Sequence, residues 1–547
     1  MIFNKKNILS YFDSIFNSHI IISILVSLAT ITIFSEVLIA DFVHWDDPVA
    51  IYMNPNIGKL SLDRIIWAFT DVDSMMRYIP LTLLSWCATY HLFGFNPYGY
   101  HLGNLILHAL NSGILFFIIR IILLVVFERK IGGLLKQIWR INLIAAITAL
   151  LWALHPMRVE PVAWATDRTY CQATFFLLLS TLCYLKAKIS NSNIRKYNLL
   201  IILSLILYIF SLLSHAIGIT YFFIFLLFDY FIFYETNESH NSLLKTNSLK
   251  NLLLEKLLFA IPAFSIGLIT VVVRVKSAGI WSPPAPLSEF NLISRFMQAI
   301  YILTYYAYRP FYPIDLSPVY TTLVSFNPMS FLFVSSALIF IAVSLVIVIF
   351  RKRCKLCIPL FLAHIILLIP VLGFFEHPHY SVDRYSLLSS ICISIFIAIS
   401  LIRIIQNKTF IIFSIALIMI VNVFGWLSFK QVKVWNNSES LFKHMIKTLN
   451  GDPYVKDIYW RLGVYLYQKK RTDEAIINLK NTLKINPSHP ISHRLLGVIE
   501  YEKGNFKKAK YHFRIALKIN NNDPLARYYL LQLNGLLNKK QTLKKSK

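Results

Sequence analysis

Apolar runs close to twenty residues long recur along most of this chain, and no other feature constrains its fold as strongly. A helix rises about 1.5 Å per residue, so roughly twenty apolar residues cross a hydrocarbon layer about 30 Å thick. Such runs lie at about 19–40, 99–127, 141–155, 170–187, 198–213, 217–234, 252–273, 331–350, 356–373, 386–404 and 409–428. They predict an all-α, polytopic membrane body of about eleven spans over residues 1–430. Composition agrees: 56% of residues are hydrophobic and 15% charged, where soluble domains carry about 25% charged. The first run follows Lys5 and Lys6, is too long for a leader and precedes no small-residue cleavage site, so it reads as an uncleaved signal anchor.

Loop charge sets the expected topology. Lys5–Lys6, 129–140, 186–196, 351–355 and 403–408 are basic and belong on the cytoplasmic side. Keeping them there leaves 292–308 as an interfacial or re-entrant segment and 79–93 as a juxtamembrane helix inside a long first external loop, 41–98. An odd number of crossings then puts the C-terminus outside, in a bacterial periplasm or an organelle lumen. The net charge of +27 is read as loop and tail charge, which gives no reason to expect nucleic acid. The six cysteines show no secreted disulfide pattern, and the lone Cys354-x-x-Cys357 pair lacks the companions of a metal site.

Beyond residue 430 the pattern changes. Leu462-Gly463 and Leu496-Gly497 stand 34 residues apart, as do Tyr467 and Tyr501, Ala475 and Ala509, Leu479 and Phe513, and Leu483 and Leu517. This is the tetratricopeptide period, with small residues where paired helices touch and Pro487 at a unit's exit. The expected repeat domain spans 438–537, with full repeats at about 456–489 and 490–523 and helices leading in and capping. Its concave face suits an acceptor protein or peptide. The Lys-rich stretch 538–547 reads as a disordered basic tail resting on anionic membrane lipid.

The predicted external loops concentrate ionisable residues. Asp46 and Asp47 follow the first run, and Arg77 precedes the juxtamembrane helix. His155, Arg158, Glu160, Asp167 and Arg168 fill the loop after the third run, His215 the turn after the fifth, and Glu376, His377, His379, Asp383, Arg384 and Tyr385 the loop before the tenth. His101, Asn104 and His108 recur at helical spacing on the second run. Charge at membrane depth is costly and marks function. A carboxylate can take the proton of an incoming hydroxyl, while Arg and His suit a departing phosphate. Sugar transfer from a lipid-phosphate donor needs both.

The order of these elements resembles a known family. Asp46-Asp47-Pro48-Val49-Ala50-Ile51 with Asn54, Arg77-Tyr78-Ile79-Pro80-Leu81-Thr82, Gly99-Tyr100-His101-Leu102-Gly103-Asn104 with His108, His155-Pro156-Met157-Arg158-Val159-Glu160-Pro161-Val162-Ala163-Trp164, and Asp383-Arg384-Tyr385 resemble the motifs of transmembrane and tetratricopeptide-repeat O-mannosyltransferases, in family order. The His-Pro-x-Arg-Val-Glu loop looks like that of bacterial members. The resemblance implies a glycosyltransferase C fold, a polyprenyl-phosphate sugar donor and a hydroxyl acceptor on an exported protein. It implies Asp46 or Asp47 as catalytic base, with the lean to Asp46, and Arg77, His101, His155, Arg158, Glu160, Arg168, Asp383, Arg384 and Tyr385 as the donor-phosphate set. Thr169-Tyr170 and His215 depart from the bacterial pattern and leave the sugar, mannose in the family, open. No ligand spacing demands a metal, and a divalent cation is left open. Two other readings stand beside this one: the same chemistry on a lipid-linked glycan or lipopolysaccharide, and a non-enzymatic membrane-anchored repeat scaffold.

Overall fold

The computed structural model describes residues 5–72, 77–128, 138–189, 194–236, 249–276, 285–324, 326–352, 356–374 and 376–545. It divides into two compact units: Met1–Phe42 with Asp46–Lys433, and Val43–Trp45 with Val434–Lys547. Cys354 and most of the predicted basic loop 129–140 lie outside the described residues.

In the first unit the helices are α1 (Lys5–Phe34), α2 (Leu62–Thr70), α3 (Pro80–Phe93), α4 (Pro97–Glu128), α5 (Ile138–Ala153), α6 (Val159–Ala163), α7 (Arg168–Ile189) and α8 (Ile194–Ser214). They continue as α9 (Phe222–Thr236), α10 (Leu249–Lys276), α11 (Leu292–Tyr308), α12 (Phe331–Ile349), α13 (Cys357–Leu368), α14 (Ser386–Arg403) and α15 (Thr409–Val434). Every predicted span is helical. Among the described residues seven helices are long and apolar enough to cross a membrane, and the α5–α6 pair, bent by 62°, would make an eighth. The remaining predicted spans are α7, α9 and α13. The last two are short apolar helices, and α7 carries Thr169, Gln172, Thr174, Ser180 and Thr181 on its buried side.

Burial separates inner helices from lipid-facing ones. In its most apolar window α4 is 72% buried and α12 only 11%. A helix apolar on every face with bare flanks belongs in lipid. Small residues set the close contacts, because lipid tails give apolar side chains no reason to leave them. Ser23 and Ser27 on α1 donate to the Gly113 and Ala109 carbonyls of α4 (3.2 and 2.8 Å), and a Cβ on Gly113 would sit 2.7 Å from Ser27 Oγ. Between α7 and α8, Ser180 and Ser204 exchange hydroxyl-to-carbonyl bonds of 2.7 and 2.9 Å.

The second unit is a run of helices: α16 (Ser438–Thr448), α17 (Val455–Gln468), α18 (Thr472–Ile485), α19 (Pro490–Glu502), α20 (Phe506–Ile519) and α21 (Pro524–Lys545). The glycines of the 34-residue period sit where the sequence requires closeness. A Cβ on Gly463 would lie 2.9 Å from Leu479, and one on Gly497 would lie 2.7 Å from Phe513. Val43–Trp45, expected in the first external loop, packs with this unit: Ser438 Oγ accepts from the His44 amide (2.9 Å) and the Arg461 guanidinium lies 4.6 Å from the Trp45 ring. The expected disordered tail is corrected: α21 continues to Lys545. No proline follows Leu533, and the helix runs through Gly535 into good helix formers, Leu536, Leu537, Lys539, Lys540 and Gln541.

Candidate functional site

The loop after α5 folds on its own polar groups. His155 caps a single 3-10 turn: its Nδ1 accepts from the Met157 amide (3.2 Å) while Nε2 donates to the Pro310 carbonyl (2.8 Å). Both ring nitrogens are therefore engaged, which fixes a neutral tautomer. The turn buries Arg158 completely. Its Nη2 donates to Ser386 Oγ and Ser390 Oγ at 2.8 and 3.0 Å, while Nε and Nη1 have no hydrogen-bond partner among the described residues. An unfilled buried guanidinium is costly and marks a place where an anion would be welcome.

Two residues on, Glu160 grips Arg384: its Oε2 accepts from the Arg384 amide (2.9 Å), and its Oε1 pairs with the guanidinium Nη1. Arg384 Nε stands 3.7 Å from Asp167 Oδ2, too far to hydrogen-bond, and neither atom has a hydrogen-bond partner among the described residues. The rings of Trp164, Tyr170 and Tyr385 lie 5.2, 5.6 and 5.6 Å from the same guanidinium. Asp383 accepts from the Tyr320 hydroxyl (2.9 Å), and the Asp383 carbonyl takes the Ser386 hydroxyl (2.7 Å), which joins the Arg158 and Arg384 halves.

Asp167 and His215 report the field around this cluster. Burial pushes the Asp167 carboxyl well above the usual range; Arg384 and Arg77 oppose the shift, and Glu160 and Asp46 add to it. Burial holds His215 well below its ordinary value, with Arg77 and Arg384 acting the same way. Ring contact with Tyr170 (4.2 Å) sets His215 beside the cluster.

The adjacent acids differ. Asp47 is buried and accepts from the Thr166 amide and hydroxyl at 3.0 and 2.6 Å, which ties the first loop to the second. Asp46 is exposed. The structure therefore brings together Arg158, Glu160, Asp167, Asp383, Arg384 and Tyr385, with Tyr170 and His215 beside them, and the Asp47–Thr166 contact ties the first loop, which carries Asp46, to the second. Arg168 turns away: it donates to Asn104 Oδ1 (3.0 Å), Thr89 Oγ1 (2.6 Å) and the Tyr100 carbonyl (2.8 Å), clamping α3, α4 and α7. Gly103 makes room for it, since a Cβ there would lie 2.6 Å from Arg168 Nη2. His101 is buried one turn before Asn104, and His108 Nε2 is bonded to the Ala153 carbonyl (2.9 Å).

Ser386, Ser390, Tyr170 and Tyr320 escaped sequence reasoning. The serines stand four apart at the start of α14, a spacing that places both on one face behind the Asp-Arg-Tyr motif. Tyr320 carries no local signal. Among the described residues no group of three or more His, Cys, Asp or Glu is arranged to hold a metal ion.

No family model matches the chain, and no solved structure matches it. Curated proteins do. A human protein O-mannosyl-transferase, TMTC1, is 24% identical over 493 residues, 82% of this chain and 53% of its own length. A Caenorhabditis elegans protein O-mannosyl-transferase, F38B6.6, is 25% identical over 485 residues, 85% of this chain and 63% of its own. Human TMTC4, also named a protein O-mannosyl-transferase, is 32% identical over 177 residues, 30% of this chain and 23% of its own. The chain thus spans between about half and two thirds of the length of the first two. Along more than four fifths of its sequence it is similar to proteins named protein O-mannosyl-transferases, which supports the family resemblance carried by its motifs.

Proposed function

We propose that this chain is a membrane glycosyltransferase that moves a sugar, mannose by analogy with its relatives' names, from a polyprenyl-phosphate donor to a hydroxyl of an exported protein. One observation carries the reading: the Asp47–Thr166 contact holds the first loop, with the exposed carboxylate of Asp46, against the loop that buries Arg158, whose Nε and Nη1 have no hydrogen-bond partner among the described residues.

In this reading Asp46 takes the acceptor hydroxyl's proton. The freed oxygen pair forms a bond to the anomeric carbon, and the bond from that carbon to the donor phosphate breaks. The phosphate leaves with that electron pair and a growing negative charge. The unfilled Nε and Nη1 of Arg158 and the charges of Arg77 and Arg384 stabilise it, and the configuration at the anomeric carbon inverts. Glu160 holds Arg384 in place, and neutral His215 lets Tyr170 pack beside it without adding positive charge. The loop chemistry favours a bacterial-type member in an inner membrane, with site loops and repeats on the periplasmic side, as the basic loops favour. The concave face of the repeats would hold the acceptor.

The test is a donor screen with the purified full chain in lipid nanodiscs, varying the sugar on a polyprenyl phosphate and supplying a Ser/Thr-rich peptide. Sugar on peptide hydroxyls supports the reading. Transfer to a lipid-linked glycan alone, or no transfer from any polyprenyl-phosphate sugar, contradicts it.

A further inference from the structure

The two repeats place α18 and α20 at equivalent positions, and their outer faces carry different charge. In the first turn of α18 stand Asp473 and Glu474; Asp473 pairs with Lys503 (3.0 Å) and Glu474 with Arg471 (2.6 Å). Thirty-four residues on, Lys507 and Lys508 hold the same places at the start of α20, and no acid occurs from Phe506 to Asn522. A helix N-terminus carries partial positive charge, so cations there are disfavoured while acids would be favoured. The repeat fold does not ask for these lysines.

Along α20, Lys507, Lys510, Arg514 and Lys518 fall on one face at helical spacing, over about 16 Å. Together with Tyr511 and Ile515 they line a shallow depression of about 330 Å³. Tyr511 is 61% exposed. The opposite face of α20, with Ala509, Phe513 and Ala516, is buried in the unit. Among the described residues none of the four cations has an acidic or hydrogen-bonding partner. A row of unpaired cations flanked by an exposed aromatic ring is the pattern of a helix that lies against anionic headgroups. A long flat row on an outer helix face fits a surface better than a clasped peptide. Three residues separate Val434 at the end of the last span from Ser438 at the start of the repeat unit, so a bilayer surface is always within a domain's reach.

We propose that the outer face of α20, through Lys507, Lys510, Arg514 and Lys518, docks on the anionic headgroups of the membrane in which the chain is embedded. This does not depend on the transferase reading.

The test uses the full chain in nanodiscs of phosphatidylcholine alone or mixed with phosphatidylglycerol. Lysines are acylated with a water-soluble ester and rates are read by mass spectrometry. Lys480 and Lys484, exposed on α18, are internal controls; Lys480 and Lys484 are the repeat equivalents of Arg514 and Lys518. In the anionic discs Lys507, Lys510 and Lys518 should label about fivefold more slowly, the factor equal to ~1 kcal/mol per cation near such a surface. Raised salt should restore the rates, and the controls should not move. Equal rates in both lipids, or equal slowing of the controls, overturns the proposal. So does protection that appears only when soluble polyglutamate is added, which would assign the face to an acidic peptide.

Discussion

Helix α7 has a buried ionic cluster at each end, and the two are built differently. At its C-terminal end Lys188 and Lys256 face Asp229 and Glu255. Lys188 Nζ lies 2.9 Å from Glu255 and 3.5 Å from Asp229, and Lys256 Nζ lies 2.6 Å from each. The Tyr184 and Tyr197 hydroxyls donate into the same carboxylates at 2.7 and 2.6 Å. Charges cancel, and each of the four carboxylate oxygens has an ammonium or hydroxyl within 2.7 Å; Asp229 Oδ2 meets Lys256 as an ion contact rather than a hydrogen bond. At the N-terminal end, about 30 Å away along the helix, Arg158 leaves two guanidinium nitrogens unfilled, and Arg384 Nε and Asp167 Oδ2 stand apart at 3.7 Å. A closed cluster pins helices together; an open one keeps capacity for something that arrives. Burial and charge are common to both, so whether each charged atom has a close opposite partner is what separates a structural pin from a candidate site.

The contrast can be broken by substitution. Lys256→Ala strips the closed cluster of one cation and leaves a carboxylate underpaired. It should cost about 3–5 kcal/mol of stability, as breaking buried pairs does, while the folded fraction keeps its transfer rate per molecule; thermal unfolding in detergent with a parallel activity assay reads both. Arg158→Gln should do the reverse. Two serine contacts are lost with little effect on unfolding, and transfer should fall about 10²–10³-fold, the scale for removing one stabilising donor. Equal effects of the two substitutions on stability and on rate would erase the distinction.

A smaller effect concerns pH. His215 titrates well below its unfolded value of 6.5, so in the fold it stays neutral while the unfolded chain takes up a proton. Its contribution is present above pH 6.5 and lost as pH falls, by up to about 1.4 kcal/mol per unit. His215→Gln should flatten that slope in unfolding curves between pH 6.5 and 5, and an unchanged slope would assign it elsewhere.

Much of this was legible in the chain. Apolar runs located the long helices of the membrane body but not the short α2 and α6, and the 34-residue spacing of Gly463 and Gly497 located the helix contacts that admit no Cβ. Arg158, Glu160, Asp383 and Arg384 were legible because they stand in ordered loops at chemically improbable depth. Three things were not. Membrane-crossing ability depends on uninterrupted length, and α9 and α13 are short. His155 and Arg168 have the right chemistry for a phosphate, but their hydrogen-bonding atoms face Pro310 and α4, which only tertiary packing decides. The serines behind Arg158 are ordinary residues whose meaning comes from a helix more than two hundred positions away.

Asp46 and Asp47 are neighbours that the sequence hardly separates, yet one is exposed and the other holds Thr166. Transfer rate in nanodiscs for Asp46→Asn and Asp47→Asn, each beside its unfolding temperature, is the most direct test of the account. It predicts a loss of about 10²–10⁴-fold with unchanged stability for Asp46→Asn, and near-normal transfer for Asp47→Asn, whose amide oxygen can still accept from Thr166. Full transfer by Asp46→Asn, or loss confined to Asp47→Asn, would contradict it.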